Sequence, residues 1–456
     1  MAEPLAEGVP RTSEVAAHGP VTVAFKTLGC KVNRAESDAI AARLIGQGVT
    51  LTAEEEAAVV IVDTCTVTGE ADRKARKAVR HALGLPHGPV VVVTGCLAAI
   101  DAGMLARLGQ RVVVEADKDA VPGRVAGLLG IDETREVREA REPSTLAGAP
   151  ALRAGDAFRT RVTVKIEDGC DAFCSYCIVP HARGLPRSVP LEAVVAEVGA
   201  LVASGVAEVV LSGINLGRYA DPASGATLPD VVEAVAATGV ARIRLSSIEP
   251  NDLTPRLLDA LAHAHAVCPH LHVPLQSGAD TVLHAMGRPY TVAGYAKRID
   301  AARAALPGLA VTTDVIAGFP GETGADAQET LDTVRALGFA RLHVFRFSPR
   351  TGTPAARMPA HVDPSEIAAR ADRLRALDAE LRERYARSRI GTLAEMLVES
   401  VDDPGVHGGP AATGTTREYL RVCADGTGRA AGETGTLRLV AIEGDVLLGE
   451  WVRNAR

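Results

Sequence analysis

The sequence predicts an α/β protein in three parts. These are an amino-terminal parallel sheet flanked by helices, a partial parallel (β/α)6 barrel, and a small carboxyl-terminal β-barrel. Three observations carry this. Short apolar runs alternate with helical stretches over residues 21–130, and the same alternation resumes over 157–390. Beyond Gly391 the alternation stops and short strands follow one another directly. With 456 residues, the chain is long enough for two to four separate cores.

In the first part the expected strands are Val21–Phe25, Ala57–Val62, Pro89–Val93 and Arg111–Val114, with helices over Glu36–Leu44 and Asp72–His81. Residues 1–20 mix Pro, Gly, Ala and Glu without periodicity and read as a disordered tail. Residues 131–156 are charged and then rich in Pro, Ala and Gly, which reads as a linker. The second part supplies strands at Arg161–Ile166, Glu208–Leu211, Arg242–Leu245, His270–Val273, Ala310–Ile316 and Leu342–Phe347. Leu191–Ala203 and Val292–Ala305 are helices between them. Ser365–Ser388, free of Gly and Pro, is a long amphipathic helix. The last part, 391–456, holds strands at Ala394–Glu399, Glu418–Val422, Thr436–Val440 and Val446–Leu448.

Composition narrows the class. Apolar residues make up 47% of the chain, yet no run is long enough to span a bilayer. The first residues lack the basic and apolar regions of a signal peptide. Eight cysteines, three of them clustered, read as metal ligation in a reducing compartment rather than as disulfides, so a cytoplasmic location is expected. A net charge of −7 argues against nucleic-acid binding through the whole surface but leaves room for a local basic site.

The chemistry centres on Cys170, Cys174 and Cys177, spaced C-x3-C-x2-C. Three thiolates on a four-iron cluster leave one iron with an open coordination position. A structural Cys3His zinc site completed by His181 is the alternative, although such sites usually draw their ligands as two separated pairs. A second set lies upstream. The first three strands end in Leu28-Gly29-Cys30, Asp63-Thr64-Cys65 and Thr94-Gly95-Cys96. Open parallel sheets bind ligands beyond the carboxyl ends of their strands, so Cys30, Cys65 and Cys96 are expected to converge.

The C-x3-C-x2-C spacing with Tyr176 before the third cysteine resembles the radical S-adenosylmethionine enzymes. The flanking Ile166-Glu167-Asp168-Gly169 and Ile178-Val179-Pro180, with Thr27-Leu28-Gly29-Cys30-Lys31-Val32-Asn33, resemble their methylthiotransferase branch. That resemblance implies two four-iron clusters, one on Cys170, Cys174 and Cys177 and one on Cys30, Cys65 and Cys96. It also implies S-adenosylmethionine bound at the open iron and cleaved to a 5′-deoxyadenosyl radical, with the protein supplying position and electrostatics. Tyr176, Ser212, Gly213, Ser247, Gln276 and Gly318 are then the expected cofactor contacts, all but Tyr176 close to carboxyl ends of barrel strands. Arg183 and Arg187 are candidates for the cofactor carboxylate or a substrate phosphate.

RNA contacts are expected at two places. Phe345-Arg346-Phe347-Ser348-Pro349-Arg350 interleaves aromatics with Arg346 and Arg350 in a stretch without acidic residues, which suits an unstacked base or, equally, a half-buried strand. Residues 414–422 resemble the central motif of the OB-like TRAM module, with Arg417, Tyr419 and Arg421 as candidates. The module is acidic overall, with ten Asp or Glu against six Arg over 391–456, so only a local face suits RNA. Asp72–His81 carries five Lys or Arg and is by default a solvated face.

The resemblance implies a transferase that places a 2-methylthio group on N6-threonylcarbamoyladenosine beside the tRNA anticodon. Its expected partners are the anticodon stem-loop, an electron donor of flavodoxin or ferredoxin type and a sulfur donor, with no membrane. Gly29-Cys30-Lys31-Val32-Asn33 carries the substrate assignment, and Arg34-Ala35 departs from the usual pattern. The rivals are isopentenyladenosine tRNA, a ribosomal-protein aspartate, and a noncatalytic RNA-binding protein with a structural metal.

Overall fold

A computed structural model describes residues 21–131, 160–402 and 409–452; the tail expected over 1–20 and nearly all of the linker expected over 131–156 lie outside them. The described chain falls into two compact units. The first holds 21–131 together with Gly169–Asp171 and Cys177–Leu185; the second holds 160–168, Ala172–Tyr176 and everything from Pro186 onward.

The first unit is built on strands β1 (Thr22–Thr27), β2 (Thr50–Leu51), β3 (Val59–Thr64), β4 (Val90–Gly95) and β5 (Val112–Val114), in the order β2-β1-β3-β4-β5 and parallel throughout. Every residue of β3 and β4 is buried, because helices cover both faces of a parallel sheet. The helices are α1 (Lys31–Gly46), α2 (Gly69–Leu83), α3 (Cys96–Ile100), α4 (Ala102–Ala106) and α5 (Val121–Leu129). Helix α1 starts five residues before the expected Glu36, with Cys30 itself at the N-cap. Helix α2 is capped by the Thr68 side chain, which accepts from the Ala71 amide at 3.1 Å, and buries Ala75, Val79 and Ala82. Two-residue β2 carries too little pattern to be foreseen.

In the second unit the strands are β6 (Arg161–Lys165), β7 (Glu167–Asp168), β8 (Arg187–Ser188), β9 (Glu208–Ser212), β10 (Arg242–Leu245), β11 (His270–His272), β12 (Ala310–Ala317) and β13 (Arg341–Arg346). Strands β7 and β8 form a small antiparallel pair. The remaining six form parallel triplets, β10-β9-β6 and β11-β12-β13, joined by isolated parallel bridges Ile243–Val267 and Ser247–His272. Pro269 and Pro274 bracket β11 and, lacking amide hydrogens, keep it to three residues. Val209, Leu211, Ile243, Leu245, Val311 and Val315 point outward into the core beneath the helices. The alternate residues line the barrel interior.

Those helices are α7 (Leu191–Ala203), α8 (Leu228–Ala237), α9 (Pro255–His263), α10 (Asp280–Ala285), α11 (Val292–Ala305), α12 (Gly324–Leu337) and α13 (Pro364–Ser388). A short α6 (Val179–Arg183) belongs to the first unit. Helix α13 starts at an Asp363 cap with Pro at N1 and buries Ala371, Leu374, Leu377 and Leu381 along one stripe.

The chain ends in a closed barrel of β14 (Leu393–Asp402), β15 (Ala411–Thr416), β16 (Arg421–Asp425), β17 (Thr434–Glu443) and β18 (Val446–Trp451), in the cyclic order β14-β15-β16-β18-β17. Five strands replace the four expected. The strand placed at Glu418–Val422 is instead the turn after β15 followed by the start of β16.

That turn seals the amino-terminal end of the large barrel. Arg242 donates to the Thr415 carbonyl at 3.2 Å, and Arg244 to those of Thr416 and Arg417 at 3.2 and 3.0 Å. Glu208, fully buried, pairs with both guanidinium groups at 2.9 Å. Burial alone raises the carboxyl pKa, but Arg244 and Arg242 outweigh it and hold Glu208 below the usual carboxylate range. The Tyr419 ring lies 4.7 Å from the Arg244 guanidinium and 4.7 Å from the His270 ring.

Removing Glu208 leaves two buried guanidinium groups without their carboxylate. Glu208→Ala is therefore expected to lower the unfolding free energy by about 3–5 kcal/mol, seen as a reduced denaturant midpoint. A chain cut after Gly391 loses the acceptors on residues 415–417 and is expected to melt at lower temperature than the whole protein. An unchanged midpoint in both would show the plug to be dispensable.

Candidate functional site

The first cysteine set is assembled by strand register. Thr27 stands opposite Asp63 on β3, and Thr64 opposite Gly95 on β4, so the three strands end level. Cys30, Cys65 and Cys96 are the next cysteines beyond those ends. Cys65 and Cys96 are buried and Cys30 is exposed. Gly29 at φ +103° and Gly95 at φ +92° turn the chain where a side chain has no room. A Cβ on Gly29 would lie 2.6 Å from the Cys65 Cβ, and one on Gly95 2.3 Å from the Asp63 carboxylate.

The sulfurs feel one another. Burial pushes the Cys65 thiol up to about 11, and Cys96 and Cys30 add to the rise while Arg183 opposes it. Cys96 is likewise raised by burial against the pull of Arg183 and Lys118. Burial thus disfavours the thiolate at Cys65 and Cys96, and a bound metal centre would offset that cost. Among the described residues the one set of three His, Cys, Asp or Glu donor atoms within 4.8 Å is His272, Asp314 and His343. The three sulfurs are thus spread more widely than a single tetrahedral ion, with sulfur at about 2.3 Å, draws its ligands. Three cysteine thiols beyond level strand ends are the donor set of a multi-iron cluster.

Asn33, the last residue of the motif around Cys30, ties the site together, a role the sequence does not show. Its amide nitrogen donates to the Leu28 carbonyl at 3.0 Å, the Thr64 carbonyl at 2.9 Å and Asp63 Oδ1 at 3.2 Å. Behind it Lys118 pairs with Glu36 and, at 3.2 Å, with Asp63; burial raises Asp63 to about 6 despite that pairing.

The second cysteine set follows β6 and β7. Within the second unit, Ser175 anchors the loop: its amide donates to the Met286 carbonyl and its hydroxyl to that of Ala285, both at 2.9 Å. Cys174 Sγ accepts from Arg288 Nη1 at 3.1 Å, and Arg288 is held by Glu249 and by the Tyr290 hydroxyl at 2.9 Å. Arg288 carries no motif in the sequence, and only tertiary packing reveals it. Tyr176 packs with Phe319, Phe347 and Met286.

The expected cofactor residues share the carboxyl-terminal end of the barrel. Ser212 closes β9 and is buried. Gly213 backs onto Glu167, where a Cβ would come within 2.6 Å of Oε2, and the Asn215 amide donates to the same oxygen at 2.8 Å. Burial raises Glu167 to about 7. Ser247 forms the bridge to His272. Gln276 adopts φ 68°, a strained value for a residue with a side chain, held by its amide donating to the Asp314 carbonyl at 2.8 Å. The Gly318 amide donates to Glu322 Oε2 at 2.5 Å. Inside the barrel, Asp314 meets His272 at 3.1 Å and His343 at 3.3 Å. Burial pushes its carboxyl up, but the two imidazoles outweigh this and hold it at about 2.

The RNA candidates divide. Arg346 and Arg421 are exposed. Arg350 is buried, which suits the half-buried strand weighed for this stretch. Arg417 donates to the carbonyls of His265 and, at 2.9 Å, Val267, and Tyr419 stacks in the barrel base. Both were expected at an RNA face; here they are half-buried and engage the carbonyls and a guanidinium group of the sealed barrel end. On α2, Arg73, Lys74, Lys77 and Arg80 are exposed.

Comparison with known proteins places these sites in a family. Residues 164–334 match the radical SAM superfamily and residues 22–115 the uncharacterized protein family UPF0004. The chain is 37% identical over 446 residues to the threonylcarbamoyladenosine tRNA methylthiotransferase MtaB of Bacillus subtilis (strain 168), covering 95% of this chain and 96% of that protein. It is 36% identical over 434 residues to the tRNA-2-methylthio-N(6)-dimethylallyladenosine synthase of Sorangium cellulosum (strain So ce56), covering 88% and 87%. In fold it resembles the radical S-adenosylmethionine methyltransferase TsrM from Kitasatospora setae, with a TM-score of 0.54, 16% identity and coverage of 74% and 77%. The chain belongs to the radical S-adenosylmethionine methylthiotransferase family.

Proposed function

We propose that this protein is a tRNA methylthiotransferase that adds a 2-methylthio group to N6-threonylcarbamoyladenosine at position 37, beside the anticodon. The observation that carries the reading is the double cysteine arrangement. One trio lies on level strand ends of a parallel sheet, and a second lies on the loop after β6 and β7. When bound, two [4Fe–4S] clusters and S-adenosylmethionine supply the electron, the hydrogen-abstracting radical, the sulfur and the methyl group.

The chain's own residues hold and orient. Cys30, Cys65 and Cys96 would ligate one cluster and Cys170, Cys174 and Cys177 the other. Arg288 donates to Cys174, placing a buried positive charge on a thiolate ligand and, through Glu249 and Tyr290, fixing its own position. Ser212, Gly213, Ser247, Gln276 and Gly318 line the barrel end where S-adenosylmethionine would lie, with Tyr176 against the loop. The backbone strain at Gln276 supports that placement, since such strain gathers at ligand sites.

Three relatives bearing the threonylcarbamoyladenosine name, at 33–37% identity, support the substrate. So does Lys31, exposed in the first turn of α1 next to Cys30, because the threonylcarbamoyl group ends in a carboxylate. RNA contacts fall to Arg346, Arg421 and the exposed basic face of α2. An electron donor of flavodoxin or ferredoxin type and a sulfur donor complete the reaction. A cytoplasmic location, expected from the cysteine usage, belongs to this reading, and no helix among the described residues is long and apolar enough to cross a membrane.

Anaerobically reconstituted protein is expected to carry about eight irons per chain, falling to about four when Cys30, Cys65 and Cys96 are all replaced by Ala. That triple variant keeps deoxyadenosine formation and loses the thiomethyl product; retained product would refute the assignment of the first trio. Given tRNA bearing either adenosine modification, the enzyme is expected to thiomethylate the threonylcarbamoyl form. Lys31→Met should lower kcat/KM for it about tenfold, or about 1.4 kcal/mol. Preference for the isopentenyl form, or thiomethylation of a ribosomal protein, would overturn the substrate.

A further inference from the structure

Arg183 sits six residues beyond Cys177, where the sequence suggests a contact to cofactor carboxylate or substrate phosphate. The structure uses it otherwise. Helix α6 belongs to the first unit and packs on α3, and the Arg183 side chain is buried there, only 6% exposed. Its Nε donates to Cys96 Sγ at 3.3 Å. Its Nη2 donates to Asn33 Oδ1 at 2.7 Å, and Nη1 and Nη2 donate to the two Glu36 oxygens at 2.9 and 3.1 Å.

The fork therefore has two jobs. Through Asn33 it grips the residue whose amide holds the Leu28 and Thr64 carbonyls, immediately upstream of the Gly29-Cys30 and Cys65 turns. Through Nε it touches the third cysteine directly. One guanidinium thus bears on all three cysteine turns of the amino-terminal sheet, from a position 87 residues beyond Cys96 in sequence.

The charge balance favours an electrostatic effect. Around Arg183 stand Glu36, Asp63 and Lys118, with Glu36 shared between Arg183 and Lys118. Glu36 takes the Nη edge of Arg183, and Asp63 is paired to Lys118. The Nε–H points at the Cys96 sulfur, so that sulfur meets the positive edge of a compensated pair.

We propose that Arg183 is a positioning residue for the amino-terminal iron–sulfur cluster, and that its guanidinium raises the reduction potential of that cluster by donating to the Cys96 thiolate. The proposal rests on the two-cluster reading given above. On one-electron reduction by an external donor the cluster gains negative charge and no proton. A cation fixed at a ligand sulfur stabilises the reduced form, and hydrogen bonds to cluster sulfur act in the same direction.

The test uses full-length protein in which Cys170, Cys174 and Cys177 are all Ala, so the remaining iron belongs to the amino-terminal trio. Potentials are read by dithionite titration with mediators, followed by electron paramagnetic resonance. Arg183→Gln, which keeps hydrogen bonding without charge, is expected to shift the reduction equilibrium about tenfold toward the oxidised cluster. That corresponds to about 59 mV for a one-electron couple. Arg183→Lys, retaining charge but not the fork, is expected to recover part of the shift. Loss of iron from the Gln variant with retention in the Lys variant would also support the proposal. Equal potentials in all three proteins, or loss of iron from both variants, would overturn it. Absence of iron from the parent triple variant would instead refute the two-cluster reading.

Discussion

Parallel pairing gives every strand one end for chemistry and one end to be sealed, and in this chain buried charge does both. At the base of the large barrel, Glu208 neutralises Arg242 and Arg244, which in turn satisfy the carbonyls of the turn after β15. The unpaired members of such a cluster would be costly in a dry interior, so the cluster is stable only complete. Its completion requires the small carboxyl-terminal barrel. That barrel is thereby part of the closure of the large one as well as an appendage to it.

The amino-terminal sheet uses the same device at its chemical end. Level strand ends deliver three cysteines to one edge, but level ends alone leave their turns unheld. Asn33 fastens two of those turns through backbone carbonyls, while Lys118, Glu36 and Asp63 form the charged floor behind it. Gly29 and Gly95 permit the approach, because a side chain at either position would overlap its neighbours. Charge, hydrogen bonding and sterics act on the same few ångströms.

A third instance lies in the barrel loop. Arg288 supplies Cys174 with a donor just as Arg183 supplies Cys96, and each arginine is held in turn by a carboxylate, Glu249 or Glu36. Repetition of this carboxylate–arginine–thiolate order at two separate sites argues for a common requirement. A thiolate ligand of an anionic cluster is stabilised by a cation that does not itself move.

The cysteine spacing, the alternation of strand and helix, and the two sheet classes were all legible in the amino-acid order. Those signals are local: an eight-residue motif, a run of Val or Ile, a Gly before a Cys. What only the tertiary structure decided is which polar side chains meet them. Arg288 and Glu208 carry no local mark, and Asn33 and Glu167 stand in marked motifs without a stated role, since a single Asn, Arg or Glu reads the same whether it faces solvent or a thiolate. Arg183, Arg417 and Tyr419 were marked for ligands, and the structure adds protein partners that the sequence does not show. A sequence shows a guanidinium's charge and reach. Burial and the nearest carbonyl, sulfur or carboxylate decide where that charge is used, and those neighbours lie up to 173 residues away, as for Arg242 and Thr415.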